Sequence, residues 1–434
     1  MLESIVVASI TFILLIISIL FFPKIKFKNF SIGTHWIVSL LGALTLIIMK
    51  SISFKEILDG LLSEEAINPI KILVLFFSMT FLSIYLDEVG FFKYIASKMI
   101  RKCKSSQTKL FMLLYALVAL LTIFTSNDIV ILTFTPFICY FAKNAKINPI
   151  PYLVAEFAAA NTWSMMLIIG NPTNIYLASS MNIDFISYLK VMFLPTLAAG
   201  VVQVLVIDLI FNKQLHSKLK VESSKVKIED KPGLYIGLFH LLACLVLLTI
   251  SAYINVAMWL IALLSTLSLL VTITMYFIVR HKKFKLIDNT FARLPYDLIP
   301  FMISMFVIVL ALNKHGVTQI ISDFLGDKNI VFHYGLTSFL SCNLMNNIPM
   351  SVLFSTVPNF TNSVDMYKAI YSIIIGSNIG AFLTPIGALA GIMFTGLIER
   401  QKVKYSFLSF IKIGLIISIP TLLVALIVLQ LIFL

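Results

Sequence analysis

The sequence predicts an all-α integral membrane protein. It reads as an inverted repeat of two 5-span halves, each with one re-entrant hairpin and one broken helix. Three observations predict this fold class. Hydrophobic residues make up 59% of the 434 residues and charged residues only 12%, whereas about 25% are charged in a typical soluble chain. Apolar runs of about 20 residues, the length at which a helix crosses a bilayer, recur along the chain. Segments rich in Asn, Thr and Pro interrupt these runs at matched places in the two halves.

This composition excludes soluble enzymes, nucleic-acid-binding proteins and disordered proteins, because so few charges cannot cover a water-facing surface. A β-barrel is excluded because barrel strands alternate polar and apolar residues. The net charge of +13 is explained by Lys and Arg on cytoplasmic loops, so no nucleic-acid partner is expected. The cysteines form no CxxC pair, so they predict neither a metal site nor a disulfide framework; they are Cys103, Cys139, Cys244 and Cys342.

Ten apolar runs are each predicted to cross the membrane once. They are 4–22, 35–50, 70–88, 150–181, 185–211, 233–252, 254–279, 297–314, 369–398 and 406–434. Alternating through them from Lys24 places 26 of the 33 Lys and Arg residues on one face and seven on the other. Because positive residues collect on the cytoplasmic side, this split predicts a multi-pass protein of the cytoplasmic membrane with both termini outside.

Two further apolar stretches, 110–142 and 331–357, are predicted to enter and leave on the same side. The first is flanked by basic residues at both ends and has 33 residues. A helix of that length would measure about 50 Å, against about 30 Å of hydrocarbon. Two half-helices joined at a tip fit this length. The predicted tips are Thr125–Ser126–Asn127–Asp128 and Asn346–Asn347–Ile348–Pro349.

The two halves echo each other in sequence. Ser78 precedes Gly90 by twelve residues, and Ser304 precedes Gly316 by the same spacing. An Asn-tipped hairpin, a span interrupted by Pro and a closing span follow in each half. Five crossings per half would insert the copies with opposite orientation, as in many secondary transporters. The predicted units are repeat 1 at 1–211, a polar cytoplasmic linker at 212–232 and repeat 2 at 233–434.

Each of the four interruptions is predicted to start a half-helix near the membrane midplane. Asn171–Pro172 and Thr384–Pro385 place a capping residue before Pro, as at many helix starts. Four helix N-termini with their positive dipole ends would then converge on a site for an anion or an oxygen-rich neutral solute. The candidate substrate- or ion-binding residues are Ser126, Asn127, Asp128, Asn171, Thr173, Asn174, Asn346, Asn347, Asn378 and Thr384.

Acidic residues within these segments raise the question of coupling. Asp128 could bind a coupling cation, carry a proton or cap the second half-helix. Candidate sodium ligands are Asn127, Asp128 and Asn347. Protons and sodium both remain open as coupling ions, and no other cofactor is expected.

Three acids outside the tips are predicted to be structural. Glu156 is expected near the cytoplasmic end of its span. A structural pair with Lys143 or Lys146 is favoured there over a role as a proton site. Two acids at the end of an earlier span, Asp87 and Glu88, are expected to be oriented against Lys93.

Several of these segments carry a family resemblance. They are Leu86–Asp87–Glu88–Val89–Gly90–Phe91–Phe92, Ser126–Asn127–Asp128, Thr135–Pro136, Asn346–Asn347–Ile348–Pro349 and Thr384–Pro385–Ile386–Gly387–Ala388–Leu389–Ala390. With them, residues 56–434 resemble the ion transporter superfamily, and most closely its arsenical pump membrane protein family. Gly170–Asn171–Pro172–Thr173–Asn174 looks closer to sodium-coupled dicarboxylate and sulfate carriers and to sodium/proton antiporters. Asn161 is a departure, because many arsenite pumps carry Asp there.

The resemblance implies a carrier that holds substrate between the hairpin tips and the broken helices. It also implies a transport domain that moves against a scaffold, and relatives that are often homodimers. The expected function is secondary active transport of a small inorganic or organic oxyanion or a neutral oxyacid such as arsenite, coupled to protons. A sodium-coupled dicarboxylate or sulfate carrier and a sodium/proton antiporter are the alternatives. The chain contains no Walker motif and no nucleophile–base pair at depth, so no enzyme is expected.

Overall fold

The structure is a computed structural model that describes residues 2–22, 24–26, 31–62, 68–102, 106–216, 227–251, 253–281 and 283–434. Within these ranges the chain forms twenty α-helices and one two-stranded antiparallel ladder, β1 (Lys24–Lys26) with β2 (Ser31–Gly33). The ladder is a small exception to the all-α prediction. It joins the first two helices at a point where the chain turns back.

The helices form two series of ten. The first series is α1 (Leu2–Phe21), α2 (Thr34–Ile48), α3 (Phe54–Leu62), α4 (Pro69–Glu88), α5 (Phe91–Lys102), α6 (Gln107–Phe124), α7 (Asn127–Ala145), α8 (Ile150–Trp163), α9 (Pro172–Ser180) and α10 (Phe185–Leu215). The second series is α11 (Lys231–Thr249), α12 (Met258–Val279), α13 (Lys285–Ala292), α14 (Leu298–Lys314), α15 (Val317–Leu325), α16 (Ile330–Met345), α17 (Asn347–Phe354), α18 (Ser363–Gly380), α19 (Leu389–Arg400) and α20 (Phe407–Ile432).

Corresponding helices of the two series make exchanged contacts. Helix α2 packs on α14, and its counterpart α12 packs on α4. Likewise α7 packs on α19 while α17 packs on α9, and α10 packs on its own counterpart α20. This exchange is the pattern that a two-fold relation between the series produces. Opposite insertion of the two halves remains a prediction.

The matched Ser-to-Gly spacing corresponds to one repeated turn. Helix α4 ends just before Gly90, with φ +89°, and α14 ends just before Gly316, with φ +74°. Both glycines adopt the left-handed conformation that favours Gly after a helix C-terminus. In the second series this turn bends α14 against α15 by 76°.

Seven of the described helices are long and apolar enough to cross a membrane: α1, α4, α6, α10, α11, α12 and α20. Helices α14 and α15 would make an eighth span if counted together. All of these except α6 coincide with predicted single crossings. Of the remaining predicted crossings, 35–50 corresponds to α2, which has only 15 residues, and 150–181 and 369–398 are broken. The chain is therefore an all-helical, multi-pass membrane protein.

Two predicted boundaries differ from the structure. The first hairpin consists of helices of 18 and 19 residues, about 27 and 28 Å at 1.5 Å per residue, which is longer than the half-helices predicted. At the linker, α10 continues to Leu215 and α11 begins at Lys231, so helix occupies both ends of the predicted 212–232 segment. Residues 217–226 of that segment lie outside the described residues.

An ion-pair cluster closes one end of α4. The guanidinium of Arg293 lies 2.7 Å from the Asp87 carboxylate and 2.5 Å from that of Glu88. The predicted pairing of these two acids with Lys93 is wrong, because Lys93 is exposed on α5. Arg293, which follows α13, pairs with both acids through the two nitrogens of its planar guanidinium. The short helix α13 is thereby held against α4.

Candidate functional site

The first hairpin breaks at Thr125–Ser126, and α7 begins at Asn127. Ser126 is extended, at φ −107° and ψ 144°, so it ends the helical run. The Asn127 amide then serves two partners. Its Nδ2 donates to Asn161 Oδ1 on α8 at 3.2 Å, and its Oδ1 accepts from the Asp128 backbone N–H at 2.9 Å.

The first broken helix connects α8 to α9 through two single-turn 3₁₀ segments, Ser164–Met166 and Ile168–Gly170. Asn171 caps α9, its Oδ1 accepting from the Thr173 N–H at 3.2 Å, and Pro172 takes the first helical position. Asn174 Nδ2 donates to the carbonyl oxygens of Ser164 at 2.8 Å and Leu167 at 3.2 Å. A side chain therefore bonds carbonyls at the point where the helix is broken; the Leu167 carbonyl also accepts from the Gly170 N–H at 3.1 Å.

Asn378 on α18 connects this break to the second series. Its Oδ1 accepts from Ser164 Oγ and from Asn171 Nδ2, both at 3.0 Å. Its Nδ2 donates to Asn174 Oδ1 at 2.7 Å and to the Ile374 carbonyl at 2.8 Å. Asn378 is fully buried at 0% exposure. Four hydrogen bonds thus saturate one amide and fix the first break against α18.

The second hairpin tip is held against the second break. Asn346 has φ +76° and donates Nδ2 to the Ile386 carbonyl at 2.9 Å. The Asn347 backbone N–H donates to the Gly387 carbonyl at 2.9 Å. Thr384 Oγ1 donates to Asn343 Oδ1 at 2.7 Å. Backbone and side-chain bonds therefore join the tip of one element to the turn of the other.

The polar residues of the first break and those of the second break meet along α18. Asn343 Nδ2 donates to the Gly380 carbonyl at 3.0 Å, two residues beyond Asn378. Helices α16 and α18 approach closely here because Gly376 and Gly380 have no side chains. A Cβ on Gly376 would collide with Ser338, and one on Gly380 with Cys342. Small residues of this kind allow helix backbones to pack closely in membrane proteins.

The predicted site residues divide into two groups. In the first, the side chains are engaged in holding the breaks together; these are Asn127, Asn171, Asn174, Asn346, Asn378 and Thr384. In the second, hydrogen-bonding capacity remains unused among the described residues. Ser126 Oγ and Thr173 Oγ1 are buried without a partner, and the side chains of Asp128 and Asn347 make no hydrogen bond or ion pair there. The second group has groups available for a ligand.

The structure decides three details of the helix starts. Asp128 is not a helix cap, because it lies inside the first turn of α7 and its backbone N–H is bonded by Asn127. In the second hairpin, Asn346 caps α17 and Asn347 is the first residue of that helix. Thr384–Pro385 does not start α19, which begins at Leu389 after turns at 381–388. There Thr384 bonds to Asn343 across the site, and its carbonyl accepts from the Gly387 N–H at 3.1 Å.

Sequence reasoning missed three residues of these networks as site residues: Asn161, Ser164 and Asn343. Asn161 and Asn343 lie on α8 and α16, and Ser164 begins the first break itself, within segments otherwise rich in apolar residues. A polar side chain in such a segment was the available signal, since polar groups at membrane depth pair with one another or line a pathway. Their partners, however, are far along the chain.

Glu156 lies elsewhere than expected. It is fully buried at 0% exposure and accepts from Thr135 Oγ1 on α7, at 2.9 and 3.1 Å for its two oxygens. The expected partners Lys143 and Lys146 are exposed. The predicted structural ion pair is therefore wrong, because α8 begins at Ile150 and carries Glu156 nearly two turns into the helix.

A cavity of about 300 Å³ borders the second break. Its lining includes Pro385 and Ile386, whose carbonyl accepts from Asn346. Glu399 and Tyr405 also line it.

Broken apolar helices whose polar interruptions meet inside a multi-pass bundle define a membrane transporter. The family model described as citrate transporter (CitMHS) matches residues 12–363. The chain therefore belongs to this transporter family, within the ion transporter superfamily that the sequence resembles.

Curated relatives extend the likeness over most of the chain. A putative arsenical pump membrane protein of Bacillus subtilis (strain 168) is 24% identical over 407 residues, covering 87% of this chain and 89% of the relative. The arsenical pump membrane protein of Yersinia enterocolitica is 27% identical over 369 residues, covering 81% and 84%. Among solved structures, the YdaH transporter of Alcanivorax borkumensis aligns with a TM-score of 0.56 at 13% identity, covering 99% of this chain and 97% of that one. This last likeness concerns the fold alone.

Proposed function

We propose that this protein is a secondary active transporter that moves a small oxyanion or a neutral oxyacid, of the type of arsenite, in exchange for protons. The observation that carries the proposal is the pair of amide-and-hydroxyl clusters at the two breaks, joined through Asn378 and Gly380. Partly unused donors and acceptors at this depth suit a ligand with several oxygen atoms. The names of the arsenical pump relatives support the same class of solute.

The charge of the site favours a neutral or weakly charged substrate. No Lys or Arg occurs in 125–136, 157–180, 338–358 or 369–395, the segments that form the breaks and their surroundings. A trivalent anion such as citrate would therefore rely on co-bound cations and on helix N-termini, which supply about half a positive charge each. Arsenite, a neutral trihydroxide near pH 7, needs only hydrogen-bond partners.

A sodium-coupled anion carrier is the second candidate. It is favoured by Asp128, whose carboxylate has no partner among the described residues and lies two residues from the unpartnered Ser126 Oγ. Oxygen ligands of this kind suit a hard cation. In this reading the cation, rather than an Arg or Lys, would supply the positive charge that an anionic substrate requires.

The membrane setting is part of the proposal. Both termini are placed outside the cytoplasmic membrane, with the connection between α10 and α11 inside, on the distribution of Lys and Arg. With that orientation Glu399 and Tyr405, which line the 300 Å³ cavity, lie toward the cytoplasmic side.

The experiment is a ligand screen by thermal stabilisation of purified protein, followed by flux in liposomes. Arsenite, antimonite, sulfate, succinate and citrate are each added with and without sodium. A ligand that binds only the folded state raises the free energy of unfolding, by about 2.7 kcal/mol at a ligand concentration of a hundred times Kd, and therefore raises Tm. Stabilisation by arsenite without sodium, and arsenite flux driven by a pH gradient, is the expected result. Stabilisation only by a dicarboxylate with sodium would replace the first candidate with the second.

A further inference from the structure

The α7–α8 interface contains a carboxyl group for which the site described above gives no role. Glu156 is fully buried, and Thr135 Oγ1 is its hydrogen-bond partner in the described part of the chain. None of the ion pairs between described residues includes it. Asp87 provides the internal comparison, since it is buried at 6% exposure but has the Arg293 guanidinium at 2.7 Å.

Burial of this kind stabilises the neutral acid. An ionised carboxylate taken from water into an apolar interior needs a cation or several donors to offset its lost hydration. One hydroxyl is a weak substitute. The packing around Glu156 therefore suits a protonated carboxyl, whereas the packing around Asp87 suits a carboxylate.

The helices that pack against α8 are α6, α7, α10 and α18, with aromatic contacts from α19 and α20. Cys139 lies one turn beyond Thr135 on the same face of α7. The other titratable or charged side chains on these helices have no hydrogen bond or ion pair with Glu156 among the described residues. They include Lys109, Tyr115, Asp128, Tyr140, Lys143, Lys190, Asp208, Lys213, Asp365, Tyr367, Lys368, Tyr371, Glu399, Arg400 and Lys412.

Two side-chain hydrogen bonds join α7 and α8, one at the hairpin tip and one at Glu156. Asn127 donates to Asn161 at the tip, and Thr135 donates to Glu156 farther from the tip. The two contacts are separated by about 12 Å along α7 and about 7.5 Å along α8, at 1.5 Å per residue. Pro136 follows Thr135 and removes one backbone hydrogen bond, which allows α7 to bend there. A movement of the tip against α8 would therefore change the surroundings of Glu156.

We propose that Glu156 is the proton-binding site of this transporter. The carboxyl holds one proton while α7 and α8 are in contact, and it releases that proton to water when the helices part and the carboxylate becomes hydrated. Its role in coupling rests on the proposed proton-coupled function. Its protonation in the packed state is independent of any substrate.

The first test is infrared spectroscopy of the purified protein near neutral pH, without substrate. The wild type is expected to show the C=O stretching band of a protonated carboxylic acid, and Glu156→Gln is expected to lose it. Asp128→Asn is the matched control and should retain the band. Identical bands in wild type and Glu156→Gln would overturn the proposal. Where the Gln variant does not fold, Glu156→Asp keeps an acid and is expected to shift this band alone.

The second test is flux of radiolabelled arsenite in liposomes. Glu156→Gln is expected to lose accumulation driven by a pH gradient but to retain arsenite counterflow, and Glu156→Asp is expected to restore part of the coupling. Accumulation by Glu156→Gln that still follows the pH gradient would overturn the proposal. Failure of the wild type to move arsenite would instead count against the proposed function, and the infrared band would then decide the state of Glu156.

Discussion

Asn161 and Asn378 occupy the same position in two corresponding helices. Each stands two residues before the last residue of its helix, α8 or α18, and donates Nδ2 to the carbonyl one turn earlier at 2.8 Å. Their Oδ1 atoms then serve different partners: Asn127 for the first, Ser164 and Asn171 for the second. One amide therefore holds a hairpin tip, and its counterpart holds a broken helix.

Replacement of Asn378 should affect both stability and transport. Asn378→Ala removes the acceptor of Asn171 Nδ2 and the donor to Asn174 Oδ1, while Ser164 Oγ keeps the Asn161 carbonyl as an acceptor. Each buried group left without a partner costs about 1–3 kcal/mol. We expect a clear fall in Tm and loss of arsenite flux, measured on the same purified protein. Asn144→Ala, at an exposed position of α7, is the control. Wild-type flux in Asn378→Ala would exclude this amide from the site.

Adjacent residues at the second tip should behave differently. Asn347→Ala removes a side chain without a described partner, so we expect Tm near wild type but loss of ligand stabilisation by arsenite. Asn346→Ala removes the bond to Ile386 and places Ala at φ +76°, which disfavours residues other than Gly and Asn. Its Tm should fall, and Asn346→Gly should recover part of the loss. Equal effects of Asn346→Ala and Asn347→Ala on Tm would contradict this division of roles.

Asp128 tests the choice of coupling ion. Asp128→Asn preserves size and removes the charge, so a sodium site there should lose its affinity for sodium. If sodium stabilises the wild type, the variant should show no such shift in Tm while its response to a pH gradient persists. If Asp128→Asn shows the same increase in Tm on addition of sodium as the wild type, this assignment is wrong. Ser126→Ala, which removes the neighbouring hydroxyl, should weaken the same shift.

Two ion pairs outside the site should differ in importance. Arg293→Ala leaves the buried Asp87 carboxylate without its cation, which we expect to cost up to about 3 kcal/mol, since buried ion pairs are expensive to break. Lys314→Ala breaks the exposed pair with Glu56, at 2.8 Å, and should change Tm less. Chemical denaturation of both variants against wild type checks this order, and an equal or larger loss of stability in Lys314→Ala would contradict it.

The exposed pair also has a predicted pH dependence. The hydrogen bond from Lys314, with those from Ser53, lowers the pKa of Glu56 to about 2. A lowered pKa contributes stability that is present above the ordinary value and is lost as pH falls through the lowered one. The difference in Tm between wild type and Lys314→Ala should therefore be constant from about pH 5 to about pH 8. A difference that grows or vanishes in that interval would show that another group responds.

Topology can be tested by cysteine labelling in intact cells. Position 363 is predicted to be outside and position 223 inside, on the distribution of Lys and Arg. A membrane-impermeant thiol reagent should therefore modify Ser363→Cys but not Ser223→Cys. The native Cys139, Cys244 and Cys342 are buried, which limits the background from them. Modification of position 223 from outside would overturn the orientation.

Much of the fold followed from local pattern. Hydropathy located the apolar runs because a helix must satisfy its own backbone in lipid. The breaks at Asn171 and Asn346 were predictable because each side chain caps the helix that follows. The break at Ser126 was predictable from the polar residues there, although the Ser126 side chain makes no capping bond. Thr384–Pro385 was predicted wrongly as a helix start, since α19 begins at Leu389. The Thr384 hydroxyl donates to Asn343, 41 residues away, a contact that local sequence does not specify.

The sequence by itself determined that this is a multi-pass helical membrane protein, where its helices break, and that the breaks are rich in amides and hydroxyls. Only the tertiary structure decided which of those groups are engaged and which remain available. Asn378 is saturated by partners more than 200 residues away, while Asn347 is not. It also decided that Glu156 is bonded by a hydroxyl instead of a lysine. Hydrogen bonding over such separations depends on how helices pack, and residue type and spacing do not specify it.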